Sequence, residues 1–153
     1  MNELDRLVLL FNNRAIAEGW SFGHGFKYDH NQKGNEISND VGLFLYDVDV
    51  LPRKDNNEIG AIHFDRFSGN FFLGMKSTMD LNYYEQENGV KGSEYRHDKH
   101  ISPLFEKARD MVNQFNMCDS EGASIASMIP YINYLDHNLD GWLVKFTIQL
   151  KDV

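Results

Sequence analysis

Cysteine is nearly absent from this chain. Cys118 stands alone among 153 residues, which excludes an intramolecular disulfide and any zinc site built on several thiolates. Positive charge is scarce as well: 15 Lys and Arg face 23 Asp and Glu, a net charge of −8. Gripping a nucleic-acid backbone takes clustered cations, and here they are scattered. The balance argues against a domain whose main role is gripping nucleic-acid backbone, although DNA can pass nearby. No apolar run approaches the roughly 20 residues of a transmembrane helix. The N-terminal stretch MNELDRLVLLFNNR has no basic leader region and an apolar run of only five residues, so it does not read as a signal peptide. Glycine-rich phosphate loops are missing too, because no helix follows Gly23-His24-Gly25 closely enough for a nucleotide fingerprint. The expectation is a soluble protein made in a reducing compartment.

What is present is enough to fold. Hydrophobic residues make up 42% and aromatics 13%, with eleven Phe and seven Tyr. A chain of this length reads as one domain spanning 1–153, with a buried core. Leu4, Leu7, Val8 and Phe11 fall at helical spacing and Ala15 extends the stripe; Asn2 is placed to cap and Gly19 to stop a helix over 3–18. Alternation from Trp20 to Tyr28 predicts a strand. Residues 29–40 are polar and read as a long loop. Residues 41–51 form the clearest strand, with Phe44, Tyr46, Val48 and Val50 on one face, ended by Pro52. Strands over 58–66 and 71–81 follow, separated by a tight turn at Ser68-Gly69-Asn70. Residues 82–99 make a second long polar loop. Ser102 and Pro103 open a helix over 103–116. Residues 125–135 fit helical spacing, but Pro130 and the β-prone Ile and Tyr residues argue for a strand at a sheet edge. Trp142–Leu150 closes the chain as a strand. The sum is an α+β domain: an antiparallel sheet of about five to six strands with two helices packed on one face.

Candidate chemistry is sparse. His97 and His100 have an H-x-x-H spacing beside Asp98, which on a helix can share one metal; no third ligand has a defined spacing, so a solvated loop explains them equally. Asp47 and Asp49 lie two apart on one strand, a pattern used for acid–base work or Mg²⁺ and also found on plain solvated strand faces. Any Ser/His/Asp set, such as one built from His24, His30 or His63, lacks a spacing that fixes nucleophile, base and orienter. Cys118 reads as a small apolar residue. Neither a cofactor, a metal nor a catalytic residue is assigned, and the expectation is that the chain is not an enzyme.

The element order, the Pro103–Phe115 helix and the closing Leu139-Asp140-Gly141-Trp142 turn, which leads into a strand of pattern D-G-W-x-V-x-F-x-I-x-L, resemble the tail-terminator and tail-completion (neck or connector ring) proteins of tailed bacteriophages. The resemblance covers most of the chain in element order, and the long loops at 29–40 and 82–99 depart from a minimal version of that fold. It implies a non-enzymatic virion subunit that closes into a homo-oligomeric ring at the head–tail junction. Such a subunit is made in the host cytoplasm and contacts portal, connector or tail proteins. An acidic ring repels phosphate and lets DNA slide through without specific binding. Ring contacts favour Tyr, Trp, Phe, Met and Arg; the candidates are Tyr83, Tyr84 and Tyr95, with Arg53 and Lys54 facing Glu85 and Glu87 of a neighbour. Two other classes stay open: a monomeric or dimeric acidic adaptor that binds a basic partner, and a small metal-dependent enzyme using His97, His100 and a carboxylate.

Overall fold

A computed structural model describes residues 1–25, 41–54, 60–76, 86–87, 90–91, 97–134 and 139–151; of residues 86, 87, 90, 91, 97, 98, 118, 119, 133 and 134 it describes the backbone alone. Helix α1 spans Glu3–Glu18, as its sequence predicts. The Asp5 N–H donates to Asn2 Oδ1 at 2.8 Å and the Asn2 N–H to Asp5 Oδ2 at 3.3 Å, a reciprocal capping box. Gly19, in the left-handed conformation, closes the helix. Strands β1 (Ser21–Gly25), β2 (Val41–Lys54) and β3 (Ile62–Lys76) follow, then the two-residue strands β4 (Gln86–Glu87) and β5 (Val90–Lys91). A π-helical turn, His97–Ile101, runs into helix α2 (Ser102–Gln114), and a second π turn, Phe115–Asp119, leads into β6 (Ser120–Tyr134) and β7 (Leu139–Leu150). No helix among the described residues is long and apolar enough to cross a membrane.

The class is α+β, with a five-stranded sheet in the order β1-β2-β3-β7-β6 and a separate β4-β5 pair. The sheet is mixed, not wholly antiparallel: β1 runs parallel to β2, and only the other pairings are antiparallel. Parallel neighbours need a connection of about a dozen residues or more, and positions 26–40 supply that length. The loops expected at 29–40 and 82–99 lie largely outside the described residues.

Three further expectations are corrected. Ser68-Gly69-Asn70 is no turn; β3 passes straight through it and pairs there with both β2 and β7. The glycine has another cause. A bulge in β2 after Tyr46, with Asp47 at φ 52, swings its backbone toward β3, and a Cβ on Gly69 would lie 3.1 Å from the Val48 Cα. That bulge also breaks the expected face of β2. Phe44 and Tyr46 point into one cluster, while Val48 packs with the cluster on the other side; inserting one residue reverses every later side chain. Third, Ser102 does not cap α2. Ile101 occupies the cap position in helical conformation with no side-chain cap bond, because the helix emerges from the preceding π turn. The strand expected at 125–135 is a sheet edge, as predicted, but it begins at Ser120, directly after the second π turn.

The main core joins Leu7, Phe11 and Ala15 of α1 and Leu104, Ala108, Met111 and Val112 of α2 with Leu43, Leu45, Phe71, Leu73, Val144, Phe146 and Ile148 of the sheet. Phe11 is its hub, with ring centroids 5.7 Å from Phe71, 5.1 Å from Phe115 and 5.2 Å from Phe146. Such tilted and edge contacts add about 0.5–1.5 kcal/mol per pair beyond area burial. Phe44, Tyr46, Phe72 and Leu139 form a second buried cluster from the intervening positions. The centre of the sheet is therefore apolar on both faces, where alternation predicted one apolar face.

Candidate functional site

Strands β2 and β3 outrun the sheet. β7 pairs with β3 only from Arg66 to Lys76, so Leu51–Lys54 and Ile62–Asp65 continue as a two-stranded arm. A lone hairpin is marginal in water, and a charged clamp stiffens this one. The Arg53 guanidinium donates from Nη2 to Asp65 Oδ2 at 2.7 Å and from Nε to Oδ1 at 3.3 Å. Asp65 is buried. Its hydrogen bond from Arg53, more than the opposing effect of burial, holds its carboxyl below the ordinary aspartate value. A second register shift, between Leu51 and Arg53, bends the arm further. Around this clamp the arm exposes apolar side chains, Ile62 at 60%, Phe64 at 47% and Leu51 at 40%, with Val50 at 41% just before it.

On the β1 side of the molecule lies an apolar groove of about 420 Å³ between α1 and β1, lined by Leu4, Val8, Leu9, Asn12, Phe22 and His24, with Asp5 at its side. The His24 ring Nδ1 lies 3.2 Å from the Leu45 carbonyl oxygen. The opposite sheet edge is guarded. β6 is 15 residues long, but three register shifts and Pro130 interrupt it, devices that discourage edge-to-edge pairing.

The histidine and aspartate candidates resolve differently. His100 is buried and its Nδ1–H donates to Asp140 Oδ2 at 2.8 Å. Beside it the Trp142 Nε1–H donates to the Ile101 carbonyl at 2.7 Å, and the Trp142 ring meets Phe105 edge-on at 5.2 Å. At Gly141, a Cβ would land on the Leu73 carbonyl oxygen. Asp140-Gly141-Trp142 thus ties the π turn that launches α2 to the start of β7. The His100–Asp140 hydrogen bond bridges the two segments as a tether. The side chain of His97 lies outside the described residues, as does that of Cys118. Asp47 and Asp49 line a hollow of about 540 Å³ of mixed polarity, with Ser68, Asn70, Lys145 and Thr147 beside Val48 and Phe146. Among the described residues, no group of three or more His, Cys, Asp or Glu is placed to hold a metal ion.

Of the predicted contact residues, Arg53 and Lys54 lie on the arm, Arg53 engaged by Asp65 and Lys54 exposed at the end of β2. Tyr83, Tyr84, Glu85 and Tyr95 lie outside the described residues, and of Glu87 only the backbone is described, in β4. The sequence does not mark Ile62, Phe64 or Leu9 as contact residues, and it places Leu4 only in the apolar stripe of α1, where it is 40% exposed. Alternation marks the first two as an ordinary strand face and says nothing of where β7 stops. Compared with family models, curated proteins and solved structures, the chain matches none.

Proposed function

We propose that this chain is a structural subunit that assembles through its arm into a closed homo-oligomeric ring. The ring is of the tail-terminator, tail-completion or neck type, set at the head–tail junction of a virion and carrying no catalysis. The supporting observation is the clamped β2–β3 arm, which projects past the sheet with Leu51, Ile62 and Phe64 in solvent. In this reading both helices cover one face of the sheet and leave the arm and the β1 edge for neighbours. The net charge of −8 lets DNA pass along the ring without sticking. Portal, connector or tail proteins supply the axial contacts. The test is mass by light scattering over size exclusion across a concentration series, with negative-stain images of any large species. A closed ring of fixed subunit number is the expected result. A monomer at every concentration would sink the ring reading and favour a monomeric acidic adaptor.

A further inference from the structure

We infer that the β2–β3 arm of one copy seats in the α1–β1 groove of the next, with Phe64 and Ile62 as its anchors; this rests on the ring reading above. The two surfaces complement each other in several respects. The arm presents an aromatic and two aliphatic side chains to solvent. The groove is a concave apolar surface of about 420 Å³, with room for an aromatic ring and an aliphatic neighbour, and Leu4 and Leu9 on its wall are each 40% exposed. Charge agrees in sign. Asp5 lines the groove and Glu3 shares its helical turn, whereas Lys54 and Arg66 are exposed on and at the base of the arm. The Arg53–Asp65 clamp holds the arm in shape beforehand, which reduces the ordering cost of docking.

The topology of the contact carries the rest. Arm and groove are different patches of one chain, so their contact is head-to-tail, the type that closes rings when the rotation allows. A single docking event also covers Phe64 and Ile62 together with the exposed leucines of the groove. Lys54 then meets acids of the first turn of α1 on the neighbouring copy.

The experiment uses the full chain and two variants, Phe64→Glu in the arm and Leu9→Glu in the groove. Both sites are solvent-facing, so each variant is expected to keep the wild-type thermal melt; Ile62→Ser and Leu4→Ser are the milder pair if either melts early. Each variant alone is expected to lose self-association by about 30-fold or more, as for a hot-spot anchor. Mixed in equal amounts at high concentration, they should form a 1:1 heterodimer by sedimentation velocity and nothing larger. The mixture holds one intact arm and one intact groove per pair. Wild-type assemblies that survive both substitutions would overturn this contact and leave the ring reading standing. Failure of the folded variants to form the mixed dimer would also overturn it. A wild-type chain that stays monomeric would overturn both.

Discussion

Strand β3 leads two lives. From Arg66 to Lys76 it has β2 on one side and β7 on the other, and Phe67, Phe71, Phe72 and Leu73 are sealed from water. From Ile62 to Asp65 it has β2 alone, and Ile62 and Phe64 stand in solvent. Phenylalanine occurs in both halves, at Phe67, Phe71 and Phe72 in the first and at Phe64 in the second, so residue type alone does not separate them. The difference lies in the company the strand keeps, since the ladder of β7 ends where Gln149 meets Arg66. Phenylalanine is thus sealed in the core in one half and stands in solvent in the other.

The sharpest way to test that contrast is to remove one ring from each half. Phe71→Ala deletes a fully buried ring that touches Phe11 and Phe146. It should cost about 3–5 kcal/mol in denaturant unfolding, the range for a large core truncation. A loss under about 1 kcal/mol would show that this half is not the core. Next in size comes the tether at the far end of the sheet. His100→Ala leaves the fully buried Asp140 without its histidine, and breaking a buried pair in this way should cost about 3 kcal/mol. Equilibrium unfolding of the variant checks the value. A rise in wild-type melting temperature on adding zinc would instead favour the metal reading of His97 and His100.

Much of the core half is legible in the sequence, and the reason is local. The α1 stripe, its Asn2 cap and the closing strand depend on spacing within a few residues, and those elements fold where spacing puts them, except that the closing strand begins at Leu139, inside the expected turn. Features that depend on a distant partner are not legible. Gly69 looks like a turn residue, yet its lack of a Cβ serves a bulge some twenty positions earlier. The parallel pairing of β1 depends on a crossover that no periodicity encodes. For the candidate site, Arg53 and Lys54 were marked by charge, while the partner of Arg53, Asp65, was hidden because strand pairing brings it there. Asp140-Gly141-Trp142 stood out as a motif, and each of its residues helps to form the tether. Asp140 accepts from His100, Gly141 admits the close backbone of β3, and Trp142 bonds the Ile101 carbonyl.

Smaller effects belong to the arm. Asp65→Asn keeps the shape of the clamp and removes its charge. Because Arg53 depresses the Asp65 carboxyl, folding holds that carboxylate ionised at a pH where the unfolded chain would bind a proton. The pair's stability is therefore fully present above the ordinary aspartate range, near about pH 4, and is lost as pH falls through the lower folded value. The wild type should exceed the variant by about 1 kcal/mol at neutral pH, the scale for a partly exposed pair, and the gap should close on acidification below about pH 4. A gap that is independent of pH would show that the hydrogen-bond shape matters and the charge does not.

The smallest expected effect on stability is the most informative one. Phe64→Ser removes a ring of the same kind as Phe71 from the same strand, but from a site 47% exposed. With little burial to lose, its unfolding free energy should stay within about 0.5 kcal/mol of wild type. Its self-association should fall well beyond that, because an exposed aromatic on a pre-shaped arm contributes only when a partner covers it. A Phe64→Ser chain that unfolds easily would mean the arm is packed as firmly as the core. One that is stable and still fully assembled would mean that the arm's apolar face serves neither purpose. Stability unchanged with assembly lost is the only combination in which the two halves of β3 are divided between fold and partner.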